Sequence, residues 1–234
     1  DNILAGNGAA NTLYGLAGND TFYGGWGADV LVGGTGNDTY YLDARRFTDP
    51  EPYATDGYGE LITTVEDRIV EQAGEGVDTV FSIFDYTLPE NVEDLVLLDM
   101  WFRGGNYYAL RGTGNALSNH IVGNDGDNVL DGGAGADRME GGAGNDTYAV
   151  DHPDDVVVEA ISSGGTDTVL ASVSYTLGAG VGVEKLILVG SGDDTATGNE
   201  RDNFLDGSRS PGANHLVGGR GDDSYLLGVG DVVV

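Results

Sequence analysis

The chain contains no cysteine, five prolines and only ten basic residues in 234, namely Lys185 and nine arginines. Without cysteine there is no disulfide framework, so stability has to come from packing and bound ions, and the redox compartment is not written in the sequence. The scarcity of Lys and Arg excludes nucleic acid and anionic membrane surfaces as partners, because both are bound by clustered basic groups that displace counterions. No run of about 18 apolar residues is present to cross a bilayer as a helix, so membrane insertion is not expected. No segment carries a 3.6-residue apolar period either, which excludes amphipathic helices as the main elements. Against ten basic residues stand 39 acidic ones, a formal charge of −29 at pH 7. A charge of that size opposes compaction unless cations are taken up on folding.

What the chain does have is glycine, 41 residues of it, and the glycines are periodic. Gly24-Gly25-Trp26-Gly27-Ala28-Asp29-Val30-Leu31-Val32 is followed directly by Gly33-Gly34-Thr35-Gly36-Asn37-Asp38-Thr39-Tyr40-Tyr41, a nine-residue repeat of the form Gly-Gly-x-Gly-x-Asp. The glycines allow positive φ and turn backbone carbonyls to one side, and the sixth-position Asp brings a carboxylate to the same place. Stacked turns of this kind surround a hard, oxygen-loving cation, and a flexible cage of carbonyls and carboxylates suits Ca²⁺ better than Mg²⁺.

Three such arrays alternate with two valine-rich spans. The expected sections are 1–43 (first array), 44–111 (an insertion and a span), 112–151 (second array), 152–197 (second span) and 198–234 (a short third array and the start of a further span). The sixth positions are Asn11, Asp20, Asp29 and Asp38; then Asn119, Asn128, Asp137 and Asp146; then Asn203, Asn214 and Asp223. Asn opens each array and Asp closes it, so the opening turns should bind more weakly. The eighth position is apolar throughout, from Leu13, Phe22, Leu31 and Tyr40 through Ile121, Leu130, Met139 and Tyr148 to Leu205, Leu216 and Tyr225. In a three-residue strand the middle side chain points opposite to its neighbours, which places these residues in a narrow core and the seventh and ninth positions toward water. The closing tyrosines suggest a wider coil there, with the hydroxyl reaching an edge.

The spans repeat each other as well. Asp78-Thr79-Val80 and Tyr86-Thr87-Leu88 align with Asp167-Thr168-Val169 and Tyr175-Thr176-Leu177, and Val92-Glu93-Asp94-Leu95 aligns with Val183-Glu184-Lys185-Leu186. Their β-branched runs read as short strands of the same coil, an all-β solenoid with essentially no long helix. Residues 44–59 have no counterpart in the second span, and Pro50 and Pro52 make them a surface excursion. Asp1-Asn2-Ile3-Leu4-Ala5 is not a signal peptide and continues the repeat phase, and Gly230 to Val234 matches Asp154 to Val158, so a section of a longer chain is expected.

The phrase Gly-Gly-Ala-Gly-Asn-Asp-Thr-Tyr at Gly141 to Tyr148, like Gly33 to Tyr40, resembles the repeats-in-toxin (RTX) family of haemolysin-type calcium-binding repeats. The resemblance implies a right-handed parallel β-roll, two nonapeptides to a coil, with Ca²⁺ between rows i and i+2 on one side. It pairs Asn11 with Asp29, Asp20 with Asp38, Asn119 with Asp137, Asn128 with Asp146, and Asn203 with Asp223, roughly five sites. It further implies carbonyl ligands from residues such as Gly15, Gly24, Gly33, Gly132 and Gly141. Ala9, Leu117 and Arg201 depart from the pattern by replacing the fourth-position glycine of opening rows.

His120, His152 and His215 share no metal-ligand spacing, and no Ser, Cys or carboxylate lies in a recognisable catalytic motif, so no enzyme activity is expected of this segment. Trp26, with Trp101-Phe102 and Tyr107-Tyr108, offers either an aromatic surface for a sugar or partner chain, or local covers near array junctions. Three functional classes stay open. One is a secreted or cell-surface structural module of adhesin, surface-layer or filament type, stacked end to end with other copies or further repeats. Another is a polysaccharide-binding accessory module resembling those attached to mannuronan epimerases, and the last is an export and folding module of a toxin or protease.

Overall fold

The computed structural model describes residues 1–42, 67–99, 109–160 and 165–234. The excursion at 44–59 and the aromatic group at 101–108 lie outside the described residues. Within them the chain is a parallel β-solenoid of about eleven turns, with strands and turns and no helix. Strands alternate between two flanks. On one, Ile3–Ala5, Thr21–Tyr23, Thr39–Tyr41, Thr79–Ser82, Asp94–Leu97, His120–Val122, Arg138–Glu140 and Val156–Val158 pair in that order into an eight-stranded sheet. A four-stranded sheet follows, formed by Tyr175–Thr176, Thr195–Thr197, His215–Val217 and Val232–Val233.

The other flank begins with the three-stranded sheet Thr12–Ala17, Val30–Thr35 and Arg68–Val70. It is followed by eight strands, Tyr86–Thr87, Arg111–Thr113, Val129–Asp131, Thr147–Val150, Thr168–Ala171, Lys185–Leu188, Phe204–Asp206 and Ser224–Leu226.

Inside the first two arrays one coil takes 18 residues, two nonapeptides, as the pairing of Ile3 with Thr21 and of Thr12 with Val30 shows, and in the third it takes 20, from Asn203 to Asp223. Outside them the coil is elastic. Adjacent rungs lie 40 residues apart from Asp38 to Asp78, 15 from Asp78 to Glu93, and 21 from Asp146 to Asp167. The three-residue strands of the arrays keep register because each places an apolar middle residue in the core, Gly112 of Arg111–Thr113 excepted. Phe22, Leu31, Tyr40, Ile121, Leu130, Met139, Tyr148, Leu205 and Leu216 are fully buried, with Leu13 and Tyr225 packed against them. The spans continue the same column with Val80, Leu95, Val169 and Leu186.

The seventh and ninth positions are mostly half-buried rather than open to water. Neighbouring coils lie so close that equivalent side chains cover one another. Tyr23, Tyr41 and Phe81 stack as a three-ring column with centroids 4.9 and 4.8 Å apart. The rings hide each other's faces and present edges outward. Trp26 is likewise half-buried, with its backbone N–H donating to the Asn7 carbonyl.

Candidate metal centre

Every sixth-position side chain stands just before a strand, so the parallel register stacks these residues coil on coil. Backbone N–H groups then bind them into a ladder. The N–H of Asn11 donates to Asp29 Oδ1 at 2.7 Å, that of Asp20 to Asp38 Oδ1 at 2.7 Å, and that of Asn119 to Asp137 Oδ1 at 2.7 Å. The N–H of Asn128 donates to Asp146 Oδ1 at 2.6 Å and that of Asn203 to Asp223 Oδ1 at 2.8 Å. All five pairs implied by the family resemblance are therefore neighbours on adjacent coils.

One carboxylate oxygen is used in this way, and the second is not. Asp20, Asp29, Asp38, Asp137 and Asp146 are each only 1% exposed, and the Oδ2 of each accepts no hydrogen bond among the described residues. A buried carboxylate oxygen left without a partner is costly, and a cation supplies the missing partner. These oxygens face cradles floored by the first-position glycines. A Cβ placed on Gly15 would stand 2.5 Å from Asp20 Oδ2 and 2.7 Å from the Gly33 carbonyl oxygen. One on Gly24 would stand 2.6 Å from Asp67 Oδ2 and 2.8 Å from Asp29 Oδ2.

The carbonyls of Gly24, Gly132 and Gly141 enter the cradles of Gly6, Gly114 and Gly123 in the same manner as that of Gly33 enters the cradle of Gly15. The donor set is oxygen only, buried, and assembled from carboxylates and carbonyls, which fits Ca²⁺. Positive φ falls to other glycines, at the second and fourth positions, as at Gly34 (97°) and Gly36 (134°). First-position glycines make room for ligands, and the second and fourth make the turn.

The asparagines expected as ligands behave differently. The Oδ1 atoms of Asn11, Asn119, Asn128 and Asn203 accept the N–H of Asn7, Asn115, Asn124 and Asn199, four residues earlier, at 2.7–2.8 Å. The second-position Asn in turn accepts the N–H two residues on, as Asn7 does from Ala9, Asn115 from Leu117 and Asn199 from Arg201. These linked side-chain turns replace the glycine turn and explain why Ala9, Leu117 and Arg201 are accommodated at the fourth position. The amides are used as well: Asn119 Nδ2 donates to the carbonyls of Val92 and Glu93, and Asn203 Nδ2 to that of Val183. An Asn, carrying donor and acceptor, closes its turn by hydrogen bonding where an Asp leaves an oxygen over.

The ladder does not stop where the arrays stop. The N–H of Asp38 donates to Asp78 Oδ1 at 2.7 Å and that of Asp78 to Glu93 Oε2 at 2.9 Å. The N–H of Asp146 donates to Asp167 Oδ1 at 2.8 Å and that of Asp167 to Glu184 Oε2 at 3.0 Å. Two groups of three buried carboxylates result, Asp38–Glu71–Asp78 and Asp146–Glu159–Asp167, each offering ligand atoms within 4.8 Å of one another. Burial raises the carboxyls of Glu71 to about 7 and of Asp78 and Asp137 to about 6, with neighbouring carboxylates adding to the rise. Asp146 is also raised, by burial first and then by Glu159 and Asp167. The Tyr40 hydroxyl donates to Glu71 and that of Tyr148 to Glu159, so these two closing tyrosines reach a buried carboxylate instead of an edge.

Glu71, Asp78, Glu159 and Asp167 were not assigned as ligands from the sequence. The signal was there, because Asp78-Thr79 and Asp167-Thr168 repeat Asp38-Thr39 and Asp146-Thr147, and a Glu directly follows Arg68–Val70 and Val156–Val158. His120 Nε2 lies 2.8 Å from Glu140 Oε1 and His215 is exposed, while the backbone N–H of His152 donates to Asp155, whose other oxygen accepts the N–H of Asp137.

A parallel solenoid whose stacked turns leave buried carboxylate oxygens facing backbone carbonyls is a calcium-binding structural repeat. A family model for the RTX calcium-binding nonapeptide repeat matches residues 5–40, 113–148, 188–224 and 210–234, about half of the chain in all. The chain belongs to that family. It has no match among curated proteins.

Proposed function

We propose that this chain is a calcium-stiffened structural section of a secreted or cell-surface bacterial protein of adhesin, surface-layer or filament type. In this reading it stays unfolded at cytosolic Ca²⁺, leaves the cell by type I export and folds outside. The observation that supports it is the column of buried, unpartnered Oδ2 atoms in Asp20, Asp29, Asp38, Asp137 and Asp146. In a chain of net charge −29 such a column repels itself until cations fill it. Extracellular modules bind Ca²⁺ at roughly 10⁻⁴ to 10⁻³ M, far above cytosolic free levels, so the switch lies at the cell boundary. Circular dichroism at neutral pH with millimolar Ca²⁺ and with excess chelator tests the folding step. The strand signal is expected only with calcium, and an unchanged signal in chelator sinks the reading. Sedimentation in Ca²⁺ tests the structural role: concentration-dependent end-to-end species support it, whereas monomers that bind a polysaccharide favour the accessory-module class.

A further inference from the structure

The two carboxylate groups at the ends of the first and second arrays differ from the repeat's own cradles in one specific way. Val32 pairs with Val70 and Glu140 with Val158, so the residues that follow place Glu71 over Gly33 and Glu159 over Gly141. Each Glu thus occupies, one coil later, the place that the nonapeptide gives to its first-position glycine. A backbone carbonyl ligand is exchanged for a carboxylate side chain. The atoms nearest a Cβ on Gly33 are oxygens of Glu71, Tyr40 and Asp38, and on Gly141 those of Tyr148, Asp146 and Glu159.

We propose that Asp38–Glu71–Asp78 and Asp146–Glu159–Asp167 are Ca²⁺ sites of a second kind, which close the arrays and bind more tightly than the nonapeptide cradles. All six side chains are more than nine-tenths buried, and Asp38 Oδ2, Asp78 Oδ2, Glu71 Oε2 and Asp146 Oδ2 accept no hydrogen bond among the described residues. Three carboxylates place a formal charge of −3 on each site, whereas Asp20 with Asp38 places −2 and each Asn–Asp pair −1. Affinity for Ca²⁺ rises with ligand charge and with rigidity of the cage. Rigidity comes from the tyrosines: each hydroxyl donates to one Glu oxygen and so aims the carboxylate into the cradle. An all-oxygen set without His or Cys disfavours Zn²⁺, and the mixed span of the three side chains suits a larger, less strictly octahedral ion than Mg²⁺.

This rests on reading the chain as a calcium-binding roll. Calorimetric titration of the full chain with Ca²⁺, and tyrosine-sensitised Tb³⁺ emission, separate the two claims. The intact chain is expected to bind two ions in a first, tighter class. In the double variant Glu71→Gln, Glu159→Gln that class should weaken at least tenfold while the weaker class persists, and Asp29→Asn should reduce only the weaker class. Tyr40→Phe with Tyr148→Phe, which removes the hydroxyls but keeps the rings, should weaken the same tight class and change the early Tb³⁺ emission. If the double Glu variant retains two tight ions at unchanged affinity, the second kind of site is refuted while the calcium roll stands. If the intact chain binds no Ca²⁺, both fall.

Discussion

Placing a methyl group on Gly15 tests whether the first-position glycine is a cradle floor. The Cβ of Gly15→Ala would lie 2.5 Å from Asp20 Oδ2 and 2.7 Å from the Gly33 carbonyl oxygen, where a cation would have to sit. Gly8→Ala is the matched control, since a Cβ there meets nothing within 4 Å. With Ca²⁺ at about 100 times the dissociation constant, losing one site removes about 2.7 kcal/mol. Forced overlap with the Gly33 carbonyl adds about 1–3 kcal/mol. Gly15→Ala should therefore lose about 4–6 kcal/mol in Ca²⁺, most of it linked to the ion, while Gly8→Ala is neutral or gains up to about 1 kcal/mol by restricting the unfolded chain. Urea unfolding followed by circular dichroism at several Ca²⁺ concentrations measures both. If the loss in Gly15→Ala does not grow with Ca²⁺, or does not exceed that of Gly8→Ala, the cradle reading is wrong.

Two further outcomes are expected. Glu71, Asp78 and Asp137 have carboxyls raised to about 7, 6 and 6, above their unfolded values near 4. In chelator their stabilising effect is therefore present at low pH and lost as pH rises through about 6–7, so the metal-free chain should be more folded at pH 5.5 than at pH 8; equal or greater strand content at pH 8 counts against it. With Ca²⁺ the trend reverses, because the ion requires ionised carboxylates. Leu130→Ala, at a fully buried core position, should cost about 2–5 kcal/mol in urea unfolding. Leu226→Ala, at a position 48% exposed, should stay within about 0.5 kcal/mol, and equal losses would contradict the single narrow core.

The arrays were legible because their period is local. Nine residues suffice to write a turn, a rung and a strand, and the buried column from Phe22 to Tyr40 and from Ile121 to Tyr148 follows from the eighth position alone. Asn11 and Asn119 were harder to read. An amide and a carboxylate occupy the same rung, but the amide finds its partner four residues away, and no pattern of spacing distinguishes coordination from that hydrogen bond. Glu71 and Glu159 were missed for a different reason. For Glu71 the place over Gly33 depends on register between coils of unequal length, with 38 residues separating Asp29 from Asp67 where the array uses 18. Glu159 keeps the 18-residue spacing, as Asp155 does from Asp137, but a Glu where the repeat has glycine does not match the nonapeptide pattern. Only the stacked structure shows both side chains over the cradle glycines.

The ladder also has a direction. Each carboxylate holds the N–H of the ligand-bearing residue one coil earlier: Asp78 fixes Asp38, Asp38 fixes Asp20, and Asp20 fixes Asn2. These sixth-position carboxylates tie each rung to the one toward the N-terminus, while the fifth-position side chains beside them run the other way, Asn19 Oδ1 accepting the N–H of Asn37 and Asn37 Oδ1 that of Val77. Each turn is thus laced to both of its neighbours by adjacent columns of opposite sense, so a rung steadied by an ion holds the backbone of the coil before it and is itself held by side chains of that coil.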